Sequence, residues 1–95
     1  MTTPSRRTTA EEVLDERISQ DRKWGEQNHH PERWLAILGE EFGEACEAWL
    51  RPDPSQYRKE LIQVAAVAIA AIESLDRAKK DLAPDAAQED RHGSE

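Results

Sequence analysis

Leu61-Ile62-Gln63-Val64-Ala65-Ala66-Val67-Ala68-Ile69-Ala70-Ala71-Ile72 carries one polar side chain in twelve positions. The stretch reads as helix, and a helix apolar on nearly every side must be buried on most of them. Its longest unbroken apolar run, Val64 to Ile72, falls far short of the roughly 20 residues that cross a bilayer. The helix therefore belongs at the centre of a bundle. Two companion helices from the same chain hardly suffice to cover it, so the sequence predicts a homodimer or homotetramer built around it.

Outward from this stretch, Asp53 is a good N-cap and Pro54 a good first residue. Lys79 and Lys80 suit the negative end of the helix dipole, which places the end near Lys80. Beyond it the composition turns polar and acidic, and residues 83–95 read as a disordered acidic tail. Upstream, a second helix starts at Pro31 and stops at Pro52. Leu35, Leu38, Phe42, Ala45 and Trp49 step by three and four and predict one apolar stripe. Gly39 and Gly43 lie one turn apart inside it. With Ala36 they form a smooth strip that invites another backbone to approach closely, although a helix held by its stripe can also simply tolerate them. The first helix is predicted from Thr8 or Thr9, each followed three residues on by Glu11 or Glu12 in a capping-box pattern. It runs to Lys23 or Trp24, with only Val13, Leu14, Ile18 and Trp24 as apolar content. Gly25 to His30 reads as a loop. The expectation is an all-α fold: an antiparallel bundle of three main helices over residues 9–82, completed by oligomerisation, with residues 1–8 flexible.

The bulk numbers agree with one small domain in need of support. A chain of 95 residues buries only about 60–65% of its unfolded surface. Its single cysteine, Cys46, cannot form an intrachain disulfide, which leaves metal binding and assembly as staples. Thirteen basic and twenty acidic residues give a net charge of −7. That balance argues against a nucleic-acid polymer as partner. It permits a single nucleotide, because a divalent cation reverses the local sign. Arg6 and Arg7 have no apolar stretch behind them, so no signal peptide is read and a cytoplasmic protein off the membrane is expected.

Carboxylates concentrate on the second helix. Glu41 and Glu44 are three apart and share a face, and Glu40 and Glu44 are neighbours at four. Like charges so placed repel, which suits either a wet surface or a cation site. Glu60 opens the apolar run of the third helix, with Gln63 one turn on. Packed antiparallel, the two helices bring Glu41, Glu44 and Glu60 together. Hard oxygen ligands of that kind suit Mg2+ or Mn2+. A solvated acidic face is the competing reading of the same spacing.

Glu40-Glu41-x-x-Glu44, followed after fifteen residues by Glu60-x-x-Gln63, resembles the EExxE…ExxD signature of the MazG-like all-α nucleoside triphosphate pyrophosphohydrolases. Lys23-Trp24-Gly25-Glu26-Gln27-Asn28-His29 and Tyr57-Arg58-Lys59-Glu60-Leu61-Ile62-Gln63-Val64 are similar to the short forms often found in phage genomes. The likeness covers about Glu11 to Leu75. It implies Mg2+-dependent hydrolysis of a (deoxy)nucleoside triphosphate to the monophosphate and pyrophosphate. It implies that Glu41, Glu44 and Glu60 hold the metal, with Gln63 at the family's fourth position and Glu40 and Glu41 as candidate catalytic residues. Gln63 stands where the family has Asp and offers only a neutral amide. That departure keeps open an alternative, a catalytically weakened nucleotide- or protein-binding helical module. Trp24 is a candidate for stacking on a base or for packing at a helix end. Gln27 and Asn28 are candidates for base edges, and Lys23 and Arg58 for phosphates. Adjacent His29 and His30 do not have zinc-ligand spacing.

Overall fold

The computed structural model describes residues 6–81, which form three helices: α1 (Arg6–Trp24), α2 (Pro31–Leu50) and α3 (Pro54–Asp81). Among the described residues there is no strand, and no helix is long and apolar enough to cross a membrane. The expected acidic tail, 83–95, and the first five residues lie outside the described residues. Of the stretch 1–8 expected to be flexible, residues 6–8 belong to α1, which begins at Arg6. Thr8 and Thr9 thus sit within the first turns and not at the cap. Arginine is a good helix former, so the helix extends past the local capping signal.

The other ends follow the sequence signals. Asp53 caps α3: its Oδ1 accepts from the Gln56 amide at 3.1 Å, and its carbonyl accepts from the Tyr57 amide at 2.9 Å. Gly25 closes α1 with φ +73°, a left-handed conformation that suits glycine, and its amide donates to the Asp21 carbonyl at 2.8 Å. At the α2–α3 corner the rings of Trp49 and Tyr57 meet, centroids 5.3 Å apart.

The helices run up, down and up. Glu12 meets Arg58 and Gln20 meets Gln63, so α1 and α3 point the same way. α2 runs against both, with Trp34 beside Val67 and Ala70 at one end and Trp49 beside Tyr57 at the other. Within the chain α3 is the central helix. It packs on α1 and on α2, which do not pack against each other. A buried guanidinium fastens α1: Arg17 donates from Nε and Nη2 to Glu73 Oε1 at 3.0 and 2.7 Å, and from Nη1 to Asp21 Oδ1 at 2.6 Å.

The face that α2 turns to α3 differs from the predicted stripe. Trp34, Ala45 and Ala48 are buried, with Ile37 and Leu38 half-buried. Leu35, Phe42 and Trp49 are 66%, 60% and 65% exposed. The reason is that α2 carries two apolar faces about one residue apart in phase. Besides Trp34 and Val67, the buried apolar residues are small, Ala45 and Ala48 on α2 and Ala66 and Ala70 on α3, while most of the large side chains lie outside. The close approach expected at Gly39 and Gly43 does not come from within the chain, since a Cβ on either would meet no atom within 4 Å. On α3, Leu61, Ile72 and Leu75 are also exposed. No large side chain is fully buried among the described residues.

Candidate metal centre

The tight turn between α2 and α3 explains the registry of the carboxylates. Glu44 lies six residues before the end of α2 at Leu50, and Glu60 six residues after the start of α3 at Pro54. Antiparallel helices pair positions equidistant from their connection, so these two face each other, and Glu41 follows one turn further along α2. One oxygen from each of Glu41, Glu44 and Glu60 lies within 4.8 Å of the others. That span is close to the about 4.2 Å separating opposite oxygens of a magnesium octahedron with ligands at about 2.1 Å. Three carboxylate oxygens of this kind are the donor type that a hard divalent cation takes. Gln56 Nε2 donates to Glu60 Oε2 at 2.7 Å and helps fix that side chain.

The three carboxylates sit in an open groove of about 630 Å³. Glu12, Asp15 and Glu16 of α1 form its opposite wall, and Lys59 is its one basic lining residue. The α1 wall was not foreseen, although positions 12, 15 and 16 share a helix face and their spacing carried the signal. Burial holds the Glu41 carboxyl above its usual range, followed by repulsion from Glu44, Glu60, Glu40 and Glu16. The Glu44 carboxyl is raised too, first by desolvation, then by the charge of Glu60 and a hydrogen bond shared with it. Two carboxyl groups that compete for a proton are groups that a cation would relieve.

These shifts have a sign for stability. The native state holds protons on Glu41 and Glu44 more tightly than the unfolded chain does. Their contribution is therefore fully present below the ordinary carboxylate range and is lost as pH rises through the raised native values. Glu12, lowered by its hydrogen bond to Arg58, acts in the opposite sense and loses its contribution as pH falls through its native value. With chelator present, the melting temperature should rise as pH is lowered from about 7.5 to about 5. Magnesium should flatten the profile by occupying the same oxygens. A metal-free melting temperature that falls over that interval would show that the cluster carries no such strain.

The remaining candidate residues divide between places. A pocket of about 240 Å³ adjoins the groove and shares Glu41 with it. Trp24, Gln27 and buried Gln20 line this pocket. Trp24 is 59% exposed, so it anchors little of the chain's own core. Lys23 Nζ lies 5.4 Å from its ring centroid. Arg58 is drawn to Glu12 at 2.7 Å, and its neighbour Lys59 lines the groove. Asn28 is turned elsewhere. It donates to Glu26 at 3.0 Å, accepts from Arg77 at 2.8 Å, and lines an apolar pocket with His29, His30 and Leu35. Glu40 is exposed and does not line the groove, acting on Glu41 and Glu44 through its charge. Gln63 lines the groove and its Oε1 accepts from Gln20 Nε2 at 3.3 Å. No family model, curated protein or solved structure matches this chain.

Proposed function

We propose that the chain is a magnesium-dependent nucleotide pyrophosphohydrolase of the MazG-like kind, acting on a (deoxy)nucleoside triphosphate as a homo-oligomer. The observation that carries this reading is the convergence of Glu41, Glu44 and Glu60 within 4.8 Å in a groove that shares Glu41 with a pocket lined by Trp24. Magnesium or manganese held by these carboxylates would polarise a phosphoryl group and offset the charge of the leaving pyrophosphate. The residues around them divide the rest of the work. Glu41 touches both spaces, so a triphosphate in the groove would place its nucleoside end towards Trp24 and Gln27. The exposed indole offers a stacking face and Gln27 a polar edge. Lys59 supplies the positive charge nearest the phosphates. Glu40 stands outside the groove and would bear on the metal ligands Glu41 and Glu44 through its charge.

A panel of the canonical nucleoside triphosphates, each with Mg2+ and with chelator, tests this reading. The expected product is pyrophosphate with the matching monophosphate, formed only with metal. Nucleotide binding without turnover would identify a binding module, and no binding at millimolar nucleotide and metal would leave only an acidic helix face.

A further inference from the structure

α2 carries a second apolar stripe besides the one it buries. Leu35, Gly39, Phe42, Cys46 and Trp49 run along it at steps of four and three, and every one is exposed. α3 repeats the spacing with Leu61, Ala65, Ala68, Ile72 and Leu75, the large ones exposed and the alanines half-buried. Neither stripe carries a charge. Both lie on one side of the α2–α3 hairpin, where Leu35 shares a hollow with Ile72 and Leu75. α1 lies on the other side. It holds α3 at Gln63 and Glu73, each five residues from Ala68 and so about 140° round the helix. None of the ten stripe residues lines the acidic groove. We propose that a second copy of this chain covers this face, α2 of each copy lying over α3 of the other. The inference rests on the homo-oligomer of the reading above and names its face, and it does not depend on what the groove binds.

Extent, shape and charge all favour a second copy. A stable interface takes about 800 Å² from each partner, and in a homodimer about 65% of it is apolar, or roughly 500 Å². The exposed parts of Phe42, Trp49, Leu35, Leu61, Ile72 and Leu75 offer roughly 300–550 Å², at about 150–250 Å² for a whole aromatic side chain and about 60–120 Å² for an aliphatic one. The face also complements itself. α2 offers large side chains and α3 has alanines at its middle, so a twofold seats each Phe42 over the alanines of the opposite α3. At Gly39 a Cβ would meet no atom within 4 Å, which leaves bare backbone for an approaching helix. Two copies of a chain with net charge −7 repel, and an uncharged face is where they can meet. Finally, the buried apolar residues are Trp34, Val67 and four alanines, a thin core for so short a chain. Cover that the fold itself needs must be at hand whenever the chain is made, and a second copy is.

Cys46 reports on the face, because it is exposed in the single chain and covered in the pair. Its reaction with iodoacetamide is timed in the wild type at micromolar concentration and in the same chain unfolded by urea, with sedimentation velocity on the native sample. The expected result is an assembled protein whose thiol reacts at least about tenfold more slowly than in the unfolded chain. Gly39→Lys adds a charge where the single chain has room for it, and should weaken association by about a hundredfold or more. Glu47→Lys sets the same charge on an exposed position away from the stripe, and should leave association within about twofold. The thiol measurement needs no variant, so it decides even if Gly39→Lys does not fold. An assembled wild type with a fully reactive Cys46, a Gly39→Lys protein that associates as tightly as the wild type, or an equal loss in Glu47→Lys overturns this face while the oligomer stands. A folded monomer with a reactive Cys46 leaves the face to a different protein and removes the oligomer as well, while the metal reading of the groove is untouched.

Discussion

Glu41→Gln should lower pyrophosphate release in magnesium about a thousandfold, the equivalent of about 4 kcal/mol of transition-state stabilisation. Glu41 is the carboxylate common to the groove and the adjoining pocket, so its loss disturbs both the cation and the placement of the substrate. The same substitution should not harm the fold. Its carboxyl is pushed up by burial and by four neighbouring carboxylates, so in chelator a neutral amide relieves repulsion. The gain is a few tenths of a kcal/mol per neighbour at most, reduced by solvent at so open a site. The signature is therefore a pair of results: activity gone in magnesium, and melting temperature level or slightly higher in chelator. Full activity in the variant would mean that the cluster is a solvated acidic face.

Phe42→Asp should convert the protein from a dimer or tetramer to a smaller species at micromolar concentration. The bare chain leaves Leu35, Phe42 and Trp49 of α2 and Leu61, Ile72 and Leu75 of α3 in solvent. A chain this short has no spare stability with which to waste such surface. Burying one phenylalanine is worth about 1.5–3 kcal/mol, and a twofold interface counts it twice. A loss of about 3–6 kcal/mol weakens association by about a hundredfold to ten-thousandfold. Sedimentation velocity against concentration reads this directly. A wild type that remains a folded monomer at micromolar concentration would refute the assembly, and reducing agent should leave it unchanged because Cys46 is not expected to carry it.

How much of this was legible depended on what each residue had to compete with. Helix ends were clear where Pro31, Asp53-Pro54 and Gly25 acted alone. At the start of α1 the capping signal of Thr8 and Thr9 competed with helix-forming arginines, and the helix ran on to Arg6. The trio Glu41, Glu44 and Glu60 could be paired from spacing, because the short turn at Pro52 fixes the registry of α2 on α3. The inward face of α2 could not be read the same way. Two apolar stripes lie side by side on it, and periodicity does not say which one meets the same chain. The α1 wall of the groove was hidden for a different reason. Its direction relative to α3 is set by contacts such as Glu12 with Arg58 and Gln20 with Gln63, which lie 46 and 43 residues apart in sequence.

Among the described residues α1 makes its close backbone contacts with α3 and not with α2, so the molecule is an α2–α3 hairpin with a third helix laid along it. Leu14, Ile18 and Trp24 are half-exposed even where α1 is docked. The latch is polar: Arg17 across to Glu73, and Arg58 back to Glu12. Segments with few buried apolar contacts are the ones that open at free energies below global unfolding. Glu12, Asp15 and Glu16 line the groove from α1, while Glu41, Glu44 and Glu60 belong to the α2–α3 hairpin. The groove thus has one bank from the hairpin and one from a helix tied to it by ion pairs, so a ligand bridging the two would add a further tie between α1 and the rest of the bundle.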